Sequence, residues 1–223
     1  MYSIFFSKIE EGIDSSILEL KKIINMDSKV LIFPWAFPIE LDSFRLKNEY
    51  FKKGEGRYNR YIDSLKKIGI TDNNIFVCDC YSDDKDFLVR KIEESDILLF
   101  PGGNPEMLFS KVLHQTELLY NIKHSDKIII GESAGAVLQF KRYFVTKENN
   151  YYKYFAFYDG FGVLDDPFYL DVHTKNDDEY QRSLKKIAKD YKKSVYAIYD
   201  DGCLIYDRKN KNVVFKNDVV FFE

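Results

Sequence analysis

The sequence predicts an α/β fold: a three-layer sandwich with a mostly parallel central sheet and an antiparallel C-terminal extension. Three observations predict it. Short apolar runs rich in Val, Ile, Leu and Phe alternate with longer amphipathic stretches, the pattern of strands joined by crossover helices. Two of these runs end in glycine-rich turns that open helical segments, as loops at the carboxyl ends of parallel strands do. After about residue 194 the spacing changes to short strands separated by turn residues, which adds antiparallel hairpins to the same sheet.

Taken in order, residues 2–6 can supply an opening strand and residues 15–24 the first helix. The runs 29–34, 74–78, 96–100 and 127–130 are continuously apolar rather than alternating, so each is read as a strand buried on both faces. Between them, helices are expected over 41–68, with a break at Gly54-Glu-Gly56, over 84–93 and over 104–122. The segment 166–173 is strand-like, the polar stretch 174–178 follows it, and a helix is expected from Asp177. Closing strands are expected at 195–199, 203–207, 213–216 and 219–222. No repeat or Pro/Ser-rich boundary divides the chain, so residues 1–223 are expected to form one domain.

Composition narrows the function classes. With 223 residues, 45% of them hydrophobic, the chain can bury a large core. Lys and Arg number 33 against 36 Asp and Glu, for a formal charge of -3, which leaves no basic excess to hold nucleic acid or an anionic membrane. No run approaches the roughly 18 apolar residues of a membrane helix, and the first residues lack the basic start and apolar stretch of a signal peptide. A soluble cytoplasmic protein, monomer or homodimer, is expected. Cys78, Cys80 and Cys203 are odd in number, and the first two are too close to bridge without strain. Cys78-Asp-Cys80 also lacks metal-ligand spacing, so no metal or other cofactor is expected. The aromatic cluster at 151–158 is read as a strand or hairpin.

The chemistry concentrates in three places. The strand 127–130 runs into Gly131-Glu-Ser-Ala-Gly-Ala136, a G-x-S-x-G turn that opens a helix. A nucleophile elbow needs small neighbours because the serine occupies a strained turn, and unpaired N–H groups at a helix start favour developing negative charge. Ser133 is therefore a candidate nucleophile; the alternative is a glycine-rich turn with a serine as helix cap. The second place is Phe100-Pro-Gly-Gly-Asn-Pro-Glu106. Asn104 is a good N-cap and Pro105 a good first helical residue, so the two glycines form a loop whose backbone can approach a ligand. In a parallel sheet both loops open on the same edge. The third is histidine: of His114, His124 and His173, only His173 ends a strand-like run ahead of a loop, where a general base can reach a neighbouring turn.

These residues resemble those of the dipeptidase E and cyanophycinase family of serine peptidases, which has a class I glutamine amidotransferase-like fold. Leu99-Phe-Pro-Gly-Gly-Asn104 is similar to the family's glycine-rich loop, Gly131-Glu-Ser-Ala-Gly-Ala136 to its elbow, and Leu170-Asp-Val-His173 to its D-x-H segment. The resemblance implies a serine-type peptidase acting on small peptides through an acyl-enzyme. Ser133 would be the nucleophile, His173 the base, and the N–H groups of Gly103 and Ala134 the oxyanion donors. It places the acid at Glu148; Asp171 competes, because at two residues before His173 it lies on the same strand face. It also suggests acidic or β-aspartyl dipeptides, for which Arg182 or Lys175 would supply the cation. Glu132 departs from the family pattern and sets a carboxylate beside the elbow. A serine esterase and a non-catalytic binding protein on the same scaffold are the rival readings; the early position of His173 after Ser133 argues against the esterase.

Overall fold

The computed structural model describes residues 1–37, 41–146, 152 and 154–223. The strands are β1 (Tyr2–Phe6), β2 (Val30–Ile32), β3 (Ile75–Val77), β4 (Ile97–Phe100), β5 (Ile128–Glu132), β6 (Arg142–Val145), β7 (Ala156–Asp159), β8 (Tyr169–Val172), β9 (Val195–Asp207) and β10 (Asn212–Phe222). The helices are α1 (Ile9–Ile23), α2 (Ser43–Arg45), α3 (Gly56–Lys67), α4 (Lys85–Glu94), α5 (Pro105–Leu113), α6 (Thr116–Lys123), α7 (Ala134–Val137) and α8 (Asp178–Tyr191).

Eight strands form one sheet in the order β10-β9-β1-β5-β4-β2-β3, with β8 also paired to β9. β1, β5, β4, β2 and β3 are mutually parallel, whereas β9 runs antiparallel to β1 and β10 antiparallel to β9. Helices cover both sides: α1 packs on β9 and against α3, while α5 meets α6 and α7. The expected α/β fold with its antiparallel extension is therefore present. β6 and β7 form a separate two-stranded sheet, so the end of the aromatic cluster is a hairpin arm; Tyr151 and Lys153 lie outside the described residues.

The parallel core follows from its side chains. β2 and β4 are buried along their whole length, as continuous apolar runs between two helix layers must be. β3 differs from the expectation: it closes the sheet order, and Phe76 and Val77 are exposed, because an edge strand has neighbours on one side only. The helix expected over 104–122 is two helices. His114 caps α5, and Gln115 leaves the helical region at φ -115° and ψ 75°. The segment expected as helix from 41 holds only α2 and one π turn before α3.

The starts of α4, α5 and α8, like that of α2 at Asp42, are written locally. Asp84, Asn104 and Asp177 accept from the N–H groups of Phe87, Met107 and Tyr180, satisfying donors that have no intrahelical partner. α1 is different. It begins at Ile9, six residues earlier than expected, and its N-cap residue Lys8 makes no side-chain cap. The Ile9 N–H instead donates to Glu132 Oε1 at 3.1 Å, a partner far away in sequence.

One arrangement in the extension positions the site. β9 pairs with β8 through Val195–Ile198 and with β1 through Cys203–Asp207. Because β8 runs parallel to β9 and β1 antiparallel, the two point toward each other along one edge of β9. Their carboxyl ends meet across residues 199–202. The two strands expected on either side of this stretch are one continuous strand, as are the two expected within β10, which carries register shifts between Val213 and Phe215 and between Asn217 and Val219.

Candidate active site

The turn from Gly131 to Ala136 is strained at Ser133. Ser133 has φ 50° and ψ -108°, a region that L-residues occupy only when their surroundings enforce it. Here the enforcing contacts are close backbone approaches. A Cβ on Gly131 would lie 2.2 Å from the Gly135 carbonyl oxygen, and one on Gly135 would lie 1.9 Å from that of Phe100. The Ser133 N–H donates to the Phe6 carbonyl at 2.8 Å, tying the turn to the end of β1. α7 then starts with the N–H groups of Ala136 and Val137 bonding to Ser133 O. The N–H of Ala134, at its first position, points out of the helix end, where no intrahelical acceptor exists.

The glycine loop after β4 sits beside this turn. Gly103 adopts φ 141°, and a Cβ there would lie 1.9 Å from Ala36 O; the Asn104 N–H donates to the same oxygen at 2.8 Å. Gly103 and Ala134 line one cavity of about 400 Å³ together with Ser133 and His173. That volume suits a short ligand.

His173 follows β8 in a left-handed conformation, φ 58°. Its Nε2 is 2.9 Å from Ser133 Oγ and its Nδ1 is 2.8 Å from Asp200 Oδ1. Its backbone N–H donates to Ser7 Oγ at 2.9 Å, and that hydroxyl donates to Ile198 O at 2.8 Å. Asp200 lies in the stretch of β9 between the ends of β1 and β8, so three strands converge on one imidazole. Burial opposes the charge on Asp200, but hydrogen bonds from Lys8 and His173, with their charges, outweigh it and hold the carboxyl below its ordinary value.

Ser133, His173, Gly103 and Ala134 are thus brought together. Glu148 lies outside the described residues. Asp171 lines the same cavity, but its carboxylate is engaged away from the imidazole: it accepts from Thr174 Oγ1 and from the Tyr180 hydroxyl, the latter at 2.9 Å, and burial raises its pKa to about 6. The carboxylate bonded to the imidazole is that of Asp200, which lies between the two strands expected at 195–199 and 203–207. Lys175 lines the cavity. Arg182 does not; its Nε donates to Asp178 O at 3.0 Å, and it lines a separate depression with Gln181 and Lys185. His114 bonds within its own helix turn to Ser110, and the His124 ring packs on that of Tyr120, both away from the site.

Cys78, Cys80 and Cys203 form no disulfide, and Cys78 is buried with its Sγ donating to Ile32 O. Among the described residues, no group of three or more His, Cys, Asp or Glu could hold a metal ion, and no helix is long and apolar enough to cross a membrane.

Comparison with known proteins adds the family. Residues 57–214 match the model of peptidase family S51. Among solved structures, the chain is similar to a Listeria monocytogenes EGD-e protein assigned as a peptidase E, at 18% identity, TM-score 0.65 and 98% coverage of both chains. It is also similar to a peptidase from an acI-B1 Actinobacterium, at 14% identity and TM-score 0.59, covering 98% of this chain and 86% of the other; at such identities these two speak for the fold. Curated protein sequences return no match. With more than half of its length matched, and with elbow, histidine and glycine loop meeting at one sheet edge, the chain belongs to peptidase family S51 and is a serine-type peptidase.

Proposed function

We propose that this peptidase cleaves small peptides by acyl transfer on Ser133, with His173 as general base and acid, Asp200 as its acidic partner, and the N–H groups of Gly103 and Ala134 as oxyanion donors. The observation that carries the reading is the continuous chain from Ser133 Oγ through the His173 ring to Asp200, at 2.9 and 2.8 Å. In this scheme His173 Nε2 accepts the hydroxyl proton as Oγ attacks the scissile carbonyl, while Nδ1–H stays bonded to Asp200. The carbonyl oxygen becomes an oxyanion held by the two backbone donors. Nε2 then returns the proton to the leaving amine, and a water activated by the same nitrogen hydrolyses the acyl-enzyme. Cavity size favours a short substrate.

A fluorophosphonate probe followed by mass spectrometry tests this reading without a known substrate. Labelling is expected at Ser133, and is expected to disappear in Ser133→Ala and His173→Ala. Labelling that persists in His173→Ala would remove the assigned base.

A further inference from the structure

Glu132, next to the nucleophile, is 2% exposed, yet it plays no part in the proton transfers. Its two oxygens gather four donors from three separate parts of the chain. Oε1 accepts the Ile9 N–H at 3.1 Å. Oε2 accepts the Gly102 N–H at 3.0 Å, Arg60 Nη2 at 3.0 Å and the Tyr61 hydroxyl. The Tyr61 oxygen also lies 3.1 Å from the Gly102 N–H. Burial first, and then the charge of Glu132, pushes the Tyr61 phenol well above its ordinary value, so it remains a donor to the carboxylate.

The parts held in this way carry the site. Gly102 immediately precedes the oxyanion donor Gly103, and its approach is so close that a Cβ there would lie 2.9 Å from Glu132 Oε2. Ile9 ends the segment in which the Phe6 carbonyl accepts the Ser133 N–H, Ser7 accepts the His173 N–H, and Lys8 bonds to Asp200. One carboxylate therefore fixes the glycine loop on one side of the elbow and the Phe6–Ile9 backbone on the other. Geometry of this kind must hold to about half an ångström for efficient catalysis.

Resting on the Ser133 reading above, we propose that Glu132 is a positioning residue for acyl transfer, whose carboxylate keeps the oxyanion loop and the His173–Asp200 pair in register with Ser133. A buried carboxylate without such donors would be costly, and a merely structural anchor would require neither the Gly102 contact nor adjacency to the nucleophile.

The test compares kinact and KI for a fluorophosphonate probe on the full chain. Glu132→Gln keeps the shape of the side chain, but its amide group must face at least one of the four donors. Expected is a fall in kinact of about 10- to 100-fold, below the roughly 10²- to 10³-fold that follows outright removal of an oxyanion donor, with KI within about threefold. Tyr61→Phe, which leaves the carboxylate and both backbone donors in place, is expected to lose only a few-fold. A folded Glu132→Gln with kinact within about twofold of the native enzyme overturns the proposal, as does a loss confined to KI. Should Glu132→Gln fail to fold, Arg60→Met decides: a lower kinact at constant KI supports the assignment, and an unchanged kinact overturns it. Failure of the underlying reading is separately visible, because native enzyme would then not be labelled at Ser133 at all.

Discussion

Lys8 Nζ lies 2.7 Å from Asp200 Oδ2, while His173 Nδ1 holds the other oxygen of the same carboxylate at 2.8 Å. Asp200 is thus bound from two sides, and its carboxyl is held below its ordinary value despite burial. The sign follows from linkage. A folded-state pKa below the unfolded one stabilises the fold in full above the ordinary carboxyl range, near pH 4, and the contribution is lost as pH falls through the lower folded value. Both side chains are about half exposed, so screening limits the pair to about 1 kcal/mol or less. Lys8→Met is expected to lower stability by that amount at pH 7. The deficit should shrink in high salt and vanish as pH falls through the lowered carboxyl value of Asp200, measured by urea unfolding.

Three carboxylates compete for the acidic role, and activity separates them. Asp200→Asn keeps the shape but favours the wrong imidazole tautomer, so kcat is expected to fall by about 10³- to 10⁴-fold. Asp171→Asn should stay within about tenfold of the native enzyme, since the Asp171 carboxylate is engaged by Thr174 and Tyr180. Glu148→Gln is expected to stay near native as well. A large loss in Glu148→Gln with little in Asp200→Asn would return the acid to Glu148.

That the sequence points to Ser133, His173 and the glycine loop as candidates but not to Asp200 is a matter of range. The elbow and the loop after β4 are local solutions: small residues at fixed offsets, a cap and a proline, all within a few positions of the strand that feeds them. The stretch Asp200-Asp-Gly202 reads as a turn by the same local rules. It is extended because β1 and β8 line the same edge of β9 on either side of it, information held by pairing partners outside the stretch, those in β1 at the opposite end of the chain. The start of α1 was missed for the same reason, since its cap is supplied by Glu132. The exposure of β3 was missed because apolar content does not reveal where a sheet order ends.

Gly103 offers a test of the oxyanion loop. Its φ of 141° is strained for any other residue, and an added Cβ would collide with Ala36 O. Gly103→Ala must push the loop off Ala36, which also disturbs the Asn104 cap. Loss of about 10²- to 10³-fold in fluorophosphonate labelling is expected, with a lower thermal midpoint. Gly56→Ala is the control: nothing lies within 4 Å of its added Cβ, it opens α3, and about 0.4–1 kcal/mol of added stability with unchanged labelling is expected.

Asp171 predicts a second pH dependence, opposite in sign to that of Asp200. Burial raises its pKa to about 6 against hydrogen bonds from Thr174 and Tyr180. Because the folded value lies above the unfolded one, the cost of burying the charge is absent below about pH 4, grows as pH rises, and is complete above about pH 6. At roughly 1.4 kcal/mol per unit, it approaches about 3 kcal/mol. Asp171→Asn should flatten the profile of unfolding free energy between pH 4 and 7; a profile as steep as that of the native enzyme would assign the slope to another group.

A preference for acidic dipeptides would turn on Lys175. Of the two cations that the sequence offers for an acidic substrate, Arg182 lines a different depression, whereas Lys175 lines the cavity that holds Ser133 and His173. Its ammonium stands 5.5 Å from the centre of the Tyr180 ring, so part of its orientation is fixed before a ligand arrives. A substrate carboxylate entering this cavity meets Glu106 and Asp171 as well as Lys175, and without the cation it would face like charge and pay for desolvation. A charge-assisted hydrogen bond at an exposed lysine should contribute about tenfold. Lys175→Met is therefore expected to lower kcat/KM about tenfold for Asp-Xaa and β-Asp-Xaa dipeptides while leaving Ala-Xaa and Leu-Xaa within about twofold, and Arg182→Ala to change neither. Discrimination is defined by that ratio rather than by binding alone. Equal losses across the four dipeptides would make Lys175 a general wall of the cavity, and the acidic preference would then have no cation in this site to support it.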